Sequence, residues 1–440
     1  MVGLPKHRPN LRGPVSLWAT TLWLCTAAVA SAAVPLDSLV AEALANNAEL
    51  KTLEAGVEEA RGQRTQAGFF RNPEVSVEVG GREVRDSENI LQGNGTTFSI
   101  AVMQTFEFPG KGTLRKAIAD KNLEVAELGL GQFRLALAGQ VRLLAIEHAA
   151  AAAEAAAAEA VRRQSAELTA RLSAQTAFGA RQALEIRLVQ AGLVDLAGAI
   201  KKASLRREET RAQLNTLLGR PQHSPLPPIG VAAPPARGFD ENALALSAQK
   251  NSILLRIRKC ELERSARELA ATRLDITPDF AIGPFFSRDV AGDTEQNAGA
   301  AISATVPLWD WNIGNIQSAR ARQAAAAALR VKGEREIEAR ILGLLKAHEL
   351  NRRQLEMIPP GLVKNLQESS GLADTQFRSG AIGPTLYLDA QSAYLNCLRA
   401  SHEAVLDAWR TYLDIDLLTG GQFDAAGSAT PAKPKKNSRP

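Results

Sequence analysis

The chain has 440 residues, 22% of them charged, with a formal net charge of +5, three cysteines and five histidines. Seven of the cations (Lys6, Arg8, Arg12, Lys433, Lys435, Lys436 and Arg439) sit in the terminal segments, so the body is close to neutral and a nucleic-acid-binding face is not expected. The histidines (His7, His148, His223, His348 and His402) are scattered without ligand spacing, and no Ser/His/Asp set, phosphate loop or paired-cysteine motif occurs. Neither an enzyme nor a resident metal or cofactor is expected.

Residues 1–33 carry a basic start, an apolar run from Val15 to Ala30 and the small residues Ala30, Ser31, Ala32 and Ala33. That order reads as a secretory signal cleaved after Ala32 or Ala33. A membrane anchor is the alternative, but the run of about 16 residues is short for a span of ~20. Acylation at Cys25 is disfavoured because Leu24 precedes it, where lipoprotein signals carry Gly or Ala. Cys260 and Cys397 fall in helical patterns in different halves and are expected to be buried free thiols, although pairing stays open.

The body of the chain repeats itself. Residues 34–220 form repeat 1 and 239–420 repeat 2. Residues 221–238, with six prolines, form the linker, and 421–440 a small-residue, Pro- and Lys-rich tail expected to be disordered. Asp37 to Leu50 matches Asp240 to Leu254, Asn72-Pro73-Glu74 matches Thr277-Pro278-Asp279, and Phe106 to Gly112 takes the place of Pro307 to Gly314. Gly179 with Gln190 then matches Gly380 with Gln391, and Leu218-Gly219 matches Thr419-Gly420, at offsets of about 201 to 205 residues. Ala-rich helices resembling one another by chance would not keep so constant an offset.

Each repeat predicts long helices around a hairpin. Lys111 to Thr176 contains no proline and carries Leu130, Phe133, Leu137, Val141 and Leu144 at steps of three and four, predicting a rod of roughly 100 Å. Its Ala149–Ala160 stretch removes bulk and permits close helix packing, and the equivalent rod in repeat 2 breaks at Pro359-Pro360-Gly361. Alternation of apolar with small or polar residues predicts strands near 75–79, 97–103, 279–286 and 298–306. The Gly/Asn/Asp-rich stretches Gly80 to Thr96 and Ser287 to Asn297 predict long exposed hairpin tips.

Strands with one apolar and one polar face can cross a membrane as a closed barrel. Four strands cannot close one, since ~8 is the small end. Membrane insertion therefore requires an oligomer, and three copies supply twelve strands. A soluble arrangement, with each hairpin packed on its own helices, remains the alternative.

These motifs together resemble the TolC-type outer-membrane efflux family over about residues 36 to 420. The matching residues are Ala43-Leu44 with Asn46-Asn47, Asn72-Pro73-Glu74, Phe108-Pro109-Gly110-Lys111, Val306-Pro307-Leu308-Trp309-Asp310 with Asn312 and Gly314, Phe377-Arg378-Ser379-Gly380, Asp389-Ala390-Gln391, and the closing Leu-x-Gly of each half. The resemblance implies a mainly α chain with a small β part, assembled as a homotrimer with a twelve-stranded outer-membrane β-barrel and a periplasmic α-barrel. It implies a passive exit duct served by a periplasmic adaptor protein and an inner-membrane efflux pump. Metal-cation systems are the leading substrate expectation. Multidrug and type I secretion ducts share the resemblance, and an exported helical protein without a pore is the other alternative.

Residue roles follow. Lipid contact is expected at Val75, Val77, Phe98, Ile100, Phe280, Ile282, Ala300 and Ile302. The resemblance places adaptor-contacting tips at Phe178, Gly179, Ala180 and Arg181 and at Ser379, Gly380, Ala381 and Ile382. It also implies a periplasmic gate at Asp389, with Glu185 as a partner from repeat 1. The family's other gate acid is replaced here by Leu386.

Overall fold

The computed structural model describes residues 35–173, 180–230, 232–235 and 241–421. The expected signal segment, the turn at Phe178 and Gly179, and the tail from 422 lie outside the described residues. Repeat 1 contains α1 (Leu36–Asn46), α2 (Ala48–Ala67), β1 (Glu74–Arg85), β2 (Leu91–Phe106), α3 (Lys111–Ser173) and α4 (Ala180–Leu217). Repeat 2 contains α5 (Glu241–Asn251), α6 (Ile253–Leu274), β3 (Phe280–Ala291), β4 (Asp293–Ala304), α7 (Ile313–Glu356), α8 (Leu362–Arg378) and α9 (Pro384–Leu418). Helix α3 is one unbroken element of 63 residues, whereas Pro359 and Pro360 divide its counterpart into α7 and α8, with Gly361 at a positive φ of 85° capping α8.

The duplication extends to the packing. Val40, Ala43, Leu137 and Leu214 knit α1, α3 and α4 into one cluster, and Leu244, Ala248, Ile341 and Ile415 do the same for α5, α7 and α9. Asn47 begins α2 by accepting the Leu50 N–H at 2.9 Å, and its amide donates to the carbonyl of Leu217 at 3.1 Å. The glycine after each closing helix has a positive φ, 69° at Gly219 and 70° at Gly420. A Cβ at Gly219 would lie 2.9 Å from the carbonyl oxygen of Asn46, and one at Gly420 would lie 2.5 Å from that of Asn251. Each repeat is thereby closed by a residue that can be only glycine. The alanines of α3 serve as close-packing surface, with Ala149, Ala150, Ala151, Ala155 and Ala158 all buried.

The four strands form a single antiparallel sheet in chain order, β1-β2-β3-β4, so the two repeats join at the β2–β3 pair. The strands run well past the alternating segments, and the long tips expected from composition shrink to Asp86–Ile90 and to a turn at Gly292. Backbone pairing continues through polar residues, as in Gly80↔Thr97 and Arg82↔Gly95, because a ladder does not require apolar side chains. The short tip is stabilised locally: Asp86 Oδ1 accepts from the N–H groups of Glu88 at 3.0 Å and Ile90 at 2.9 Å, and Asn89 takes a positive φ of 64°. Among the described residues no helix is long and apolar enough to cross a membrane.

Candidate functional site

Strand register decides which side chains share a face. Val75 lies opposite Val102, Val77 opposite Ile100, and Ile100 opposite Phe286. Ile282 lies opposite Ile302, Pro284 opposite Ala300, and Phe280 opposite Phe106, whose ring it stacks on at 5.8 Å. Phe98 faces the same way, opposite Arg288, so all eight residues assigned to lipid contact fall on one face. Arg288 and Gln296 end the apolar row at one edge, while Phe106 and Phe280 end it at the foot of the sheet, where the helices begin.

The other face is polar across its middle rows, with Ala101, Met103 and Phe285 nearer the foot. Glu78, Ser99, Ser287 and Asn297 form one row across it, and Gly80, Thr97, Asp289 and Glu295 the next. Arg82 lies opposite Gly95, which has no side chain to obstruct it, and reaches Asp289 on β3 at 2.5 Å and Glu295 on β4 at 3.3 Å. Thr97 also bonds Asp289. This face carries the carboxylates of Glu74, Glu78, Asp289, Asp293 and Glu295 against the single guanidinium of Arg82. In the described chain β1 and β4 each pair on one side only, leaving two edges of unsatisfied backbone groups.

The foot of the sheet is fastened by two charged knots. Lys111 donates to Asp279 and to the carbonyl of Thr277, and the Phe108 N–H donates to Asp279 at 3.0 Å. Burial pushes the Asp279 carboxyl up, but Lys111, the Phe108 N–H and Arg71 outweigh it and hold it below the usual carboxylate range. Glu107 accepts from Arg115 at 2.5 Å and from Arg71 at 3.2 Å. Sequence reasoning singled out the Pro-Gly-Lys turn but not Glu107 and Arg115, whose only signal was opposite charge on either side of that turn.

At the far end, Gly380 closes α8 with a φ of 76°, the Gly380 N–H bonding the carbonyl of Phe377 and the Ala381 N–H that of Gln376. That pair of bonds makes the turn a Schellman cap. Ser379, Gly380 and Ala381 are exposed, while Ile382 packs against Val189 and Tyr387. Asp389 is exposed on α9, as is Leu386. The side chains of Ala180, Arg181 and Glu185, like Phe178 and Gly179 themselves, lie outside the described residues, so the repeat 1 tip and the Glu185 partner are not located. What fixes α9 is Tyr387, fully buried, stacked on Phe377 at 5.0 Å and bonded through its hydroxyl to Ser165 of α3 at 2.7 Å. Burial pushes its phenol up. Gln391, buried alongside, exchanges hydrogen bonds with Ser370 at 2.5 and 3.1 Å. Tyr387 was not foreseen, and its aromatic ring at helical spacing from Tyr394 was the available signal.

No protein-family model matches the sequence, and no curated protein matches it. Solved structures do. The CmeC outer membrane channel of Campylobacter jejuni superposes over 94% of this chain and 94% of its own, with a TM-score of 0.71 at 16% identity. The open-state MtrE outer membrane channel of Neisseria gonorrhoeae does so over 88% and 89%, at 0.68 and 18% identity. CusC, described in terms of folding and transmembrane channel formation, covers 88% and 92%, at 0.66 and 17% identity. The chain has the TolC-type outer-membrane channel fold. Likeness at such low identity resides in the backbone plan, and that plan is the duplicated one: two helix–hairpin–helix units sharing one four-stranded sheet. The resemblance drawn from the motifs is therefore confirmed at the level of fold. CmeC and MtrE are both named as outer membrane channels, and CusC as forming a transmembrane channel.

Proposed function

We propose that this protein is one subunit of a homotrimeric outer-membrane duct, exported by a cleaved signal and passive in itself. The observation that carries the reading is the apolar row on one sheet face, broken on β2 by Gln104, whose amide is spent on the carbonyls of Arg71 and Thr105, and bounded on both sides by unpaired strand edges. Apolar side chains outside and open edges are together satisfied by closure with other copies inside lipid. From Phe98 to Phe106 the row spans roughly 27 Å of strand, about 20 Å of membrane thickness at a barrel-like tilt. Three sheets give the twelve strands that a barrel needs, and α3, α4 and α7–α9 continue it into the periplasm as a helical tube.

Energy comes from an inner-membrane pump coupled through a periplasmic adaptor that meets the tips around Gly179 and Gly380. Asp389 contributes an acidic ring to the periplasmic mouth. Cations, metal cations among them, are the favoured cargo, because the lumen-directed face carries five carboxylates against one arginine. The decisive experiment is extraction of the outer-membrane fraction. A detergent-soluble trimer that dissociates only on heating is expected, whereas a monomer released by salt would refute the duct and favour an exported helical protein without a pore.

A further inference from the structure

The two large apolar side chains that stand furthest out of the described chain sit on opposite edges of the sheet. Phe70, 84% exposed, precedes β1, and Trp309, 90% exposed, follows β4. Both lie at the foot, because β1 starts there at Glu74 and β4 ends there at Ala304.

Neither loop is loose. Arg115 donates to the carbonyls of Ala67 at 3.1 Å and Phe69 at 3.2 Å, and Gln104 donates to that of Arg71 at 2.9 Å. On the other edge, Asp310 accepts the Asn312 N–H at 2.9 Å; Asn312 holds a left-handed φ of 54°, and its amide donates to the carbonyl of Thr272 at 2.9 Å. Two aromatic rings thus project from anchored stretches of backbone with little cover from the described residues. Beside Phe70 lies a cleft of about 450 Å³ walled by Gln63, Gln66, Phe69, Arg71 and Arg115.

Edge geometry decides what fills it. Antiparallel pairing of β4 with the β1 of a second copy satisfies both open rows of backbone groups, keeps the up-and-down order of the sheet and brings the two feet together. On the trimer reading given above, we propose that Trp309 of each copy seats in the Phe70 cleft of the next. Its indole stacks on Phe70 and meets the guanidinium faces of Arg71 and Arg115, for which indole is the strongest aromatic partner. Each seam of the ring then carries one aromatic lock just below the barrel, and the cleft is complete only when a second copy fills it.

A protein carrying Phe70→Cys and Trp309→Cys, with Cys260 and Cys397 changed to Ser, is treated in detergent with a short bis-maleimide. Covalent dimers and trimers on a denaturing gel are expected, with monomer alone from either single cysteine. A double-mutant cycle avoids cysteines: Phe70→Ala and Trp309→Ala each lower the temperature at which the trimer dissociates, and the double variant falls little further than the larger single one. An intact trimer that neither cross-links nor shows coupling would overturn the lock, and quenching by bromine-labelled lipid tails of the fluorescence of a protein carrying Trp311→Phe and Trp409→Phe would make the Trp309 ring a membrane-interface anchor instead. A wild-type protein that is monomeric by native mass would overturn the trimer itself and the lock with it.

Discussion

Lys111 Nζ donates to Asp279 Oδ1 at 2.8 Å, bonding the first residue of α3 to the residue that precedes β3 by one position. The contact joins repeat 1 to repeat 2 at the level where sheet becomes helix, and both side chains are largely buried. Lys111→Met should cost about 2 kcal/mol at neutral pH by leaving a charged acceptor without its main donor. The sign with pH follows from a depressed carboxyl. The stabilisation is present above the unfolded aspartate value of about 3.9 and is lost as pH falls through the lower folded value. Thermal dissociation measured from pH 7 down to pH 2 should show a steeper acid loss in the wild type than in Lys111→Met. Parallel profiles would refute the assignment.

Facing can be tested within three consecutive residues of β2. Ile100 lies inside the apolar row, Ser99 on the polar face, and Phe98 level with Arg288 at the row's edge. Ile100→Arg should weaken the assembled barrel by about 2–4 kcal/mol, Phe98→Arg by about 0–1 kcal/mol, and Ser99→Arg should leave assembly unchanged. Refolding equilibria in lipid vesicles report all three, and an equal penalty at Ile100 and Ser99 would rule out the facing.

Asp389 is exposed on α9, whereas Asp407, further along the same helix, is paired with Arg410 at 2.7 Å. On the proposed trimer, three copies of Asp389 around the axis would attract cations and repel one another. Asp389→Ala should raise conductance in planar bilayers and weaken block by divalent cations, while Asp407→Ala should do neither. Identical conductance and block in Asp389→Ala and wild type would remove the gate but leave the duct.

Two glycines with nearly the same backbone angle should respond differently to alanine. Gly380 has open space around its missing Cβ, so Gly380→Ala should cost only the left-handed conformation, about 1–2 kcal/mol. Gly420→Ala adds a collision with the carbonyl of Asn251 and should destabilise more, with Gly219→Ala behaving likewise against Asn46. Bulky residues at Gly380 should also impair efflux while the trimer persists if the tip meets an adaptor. Calorimetry and a cell-based efflux assay separate the two effects.

The duplication, the hairpins and the shared face of the eight strand residues were legible in the sequence because period and offset are linear properties. Strand length was not, since Gly80 to Arg85 pair through backbone groups that composition does not report. The knots at the foot were hidden for another reason: Lys111 and Asp279 are 168 residues apart, and only the fold makes them neighbours. Tyr387 and Ser165 are separated by 222 residues, and their pairing depends on how α9 lies along α3. Asn72-Pro73-Glu74 and Thr277-Pro278-Asp279 looked equivalent in the two repeats, yet Asp279 anchors Lys111 while Glu74 sits in a strand opposite Met103.

That the strands run in chain order within one sheet has a further consequence for how a ring of three is read by anything approaching it. Six hairpins would alternate around the circle in two kinds, one from each half of the gene, so the assembly has six near-equivalent sectors but only three true ones. Junctions inside a polypeptide, at β2–β3, and junctions between polypeptides, at β4–β1, would then alternate as well. The first kind forms within one chain, whose own helices and the Lys111–Asp279 contact bring β2 beside β3, and the second must be specified by side chains of two copies, so substitutions tolerated at one would be selected against at the other. An ancestor built from a single unit would have had to use one interface for both purposes.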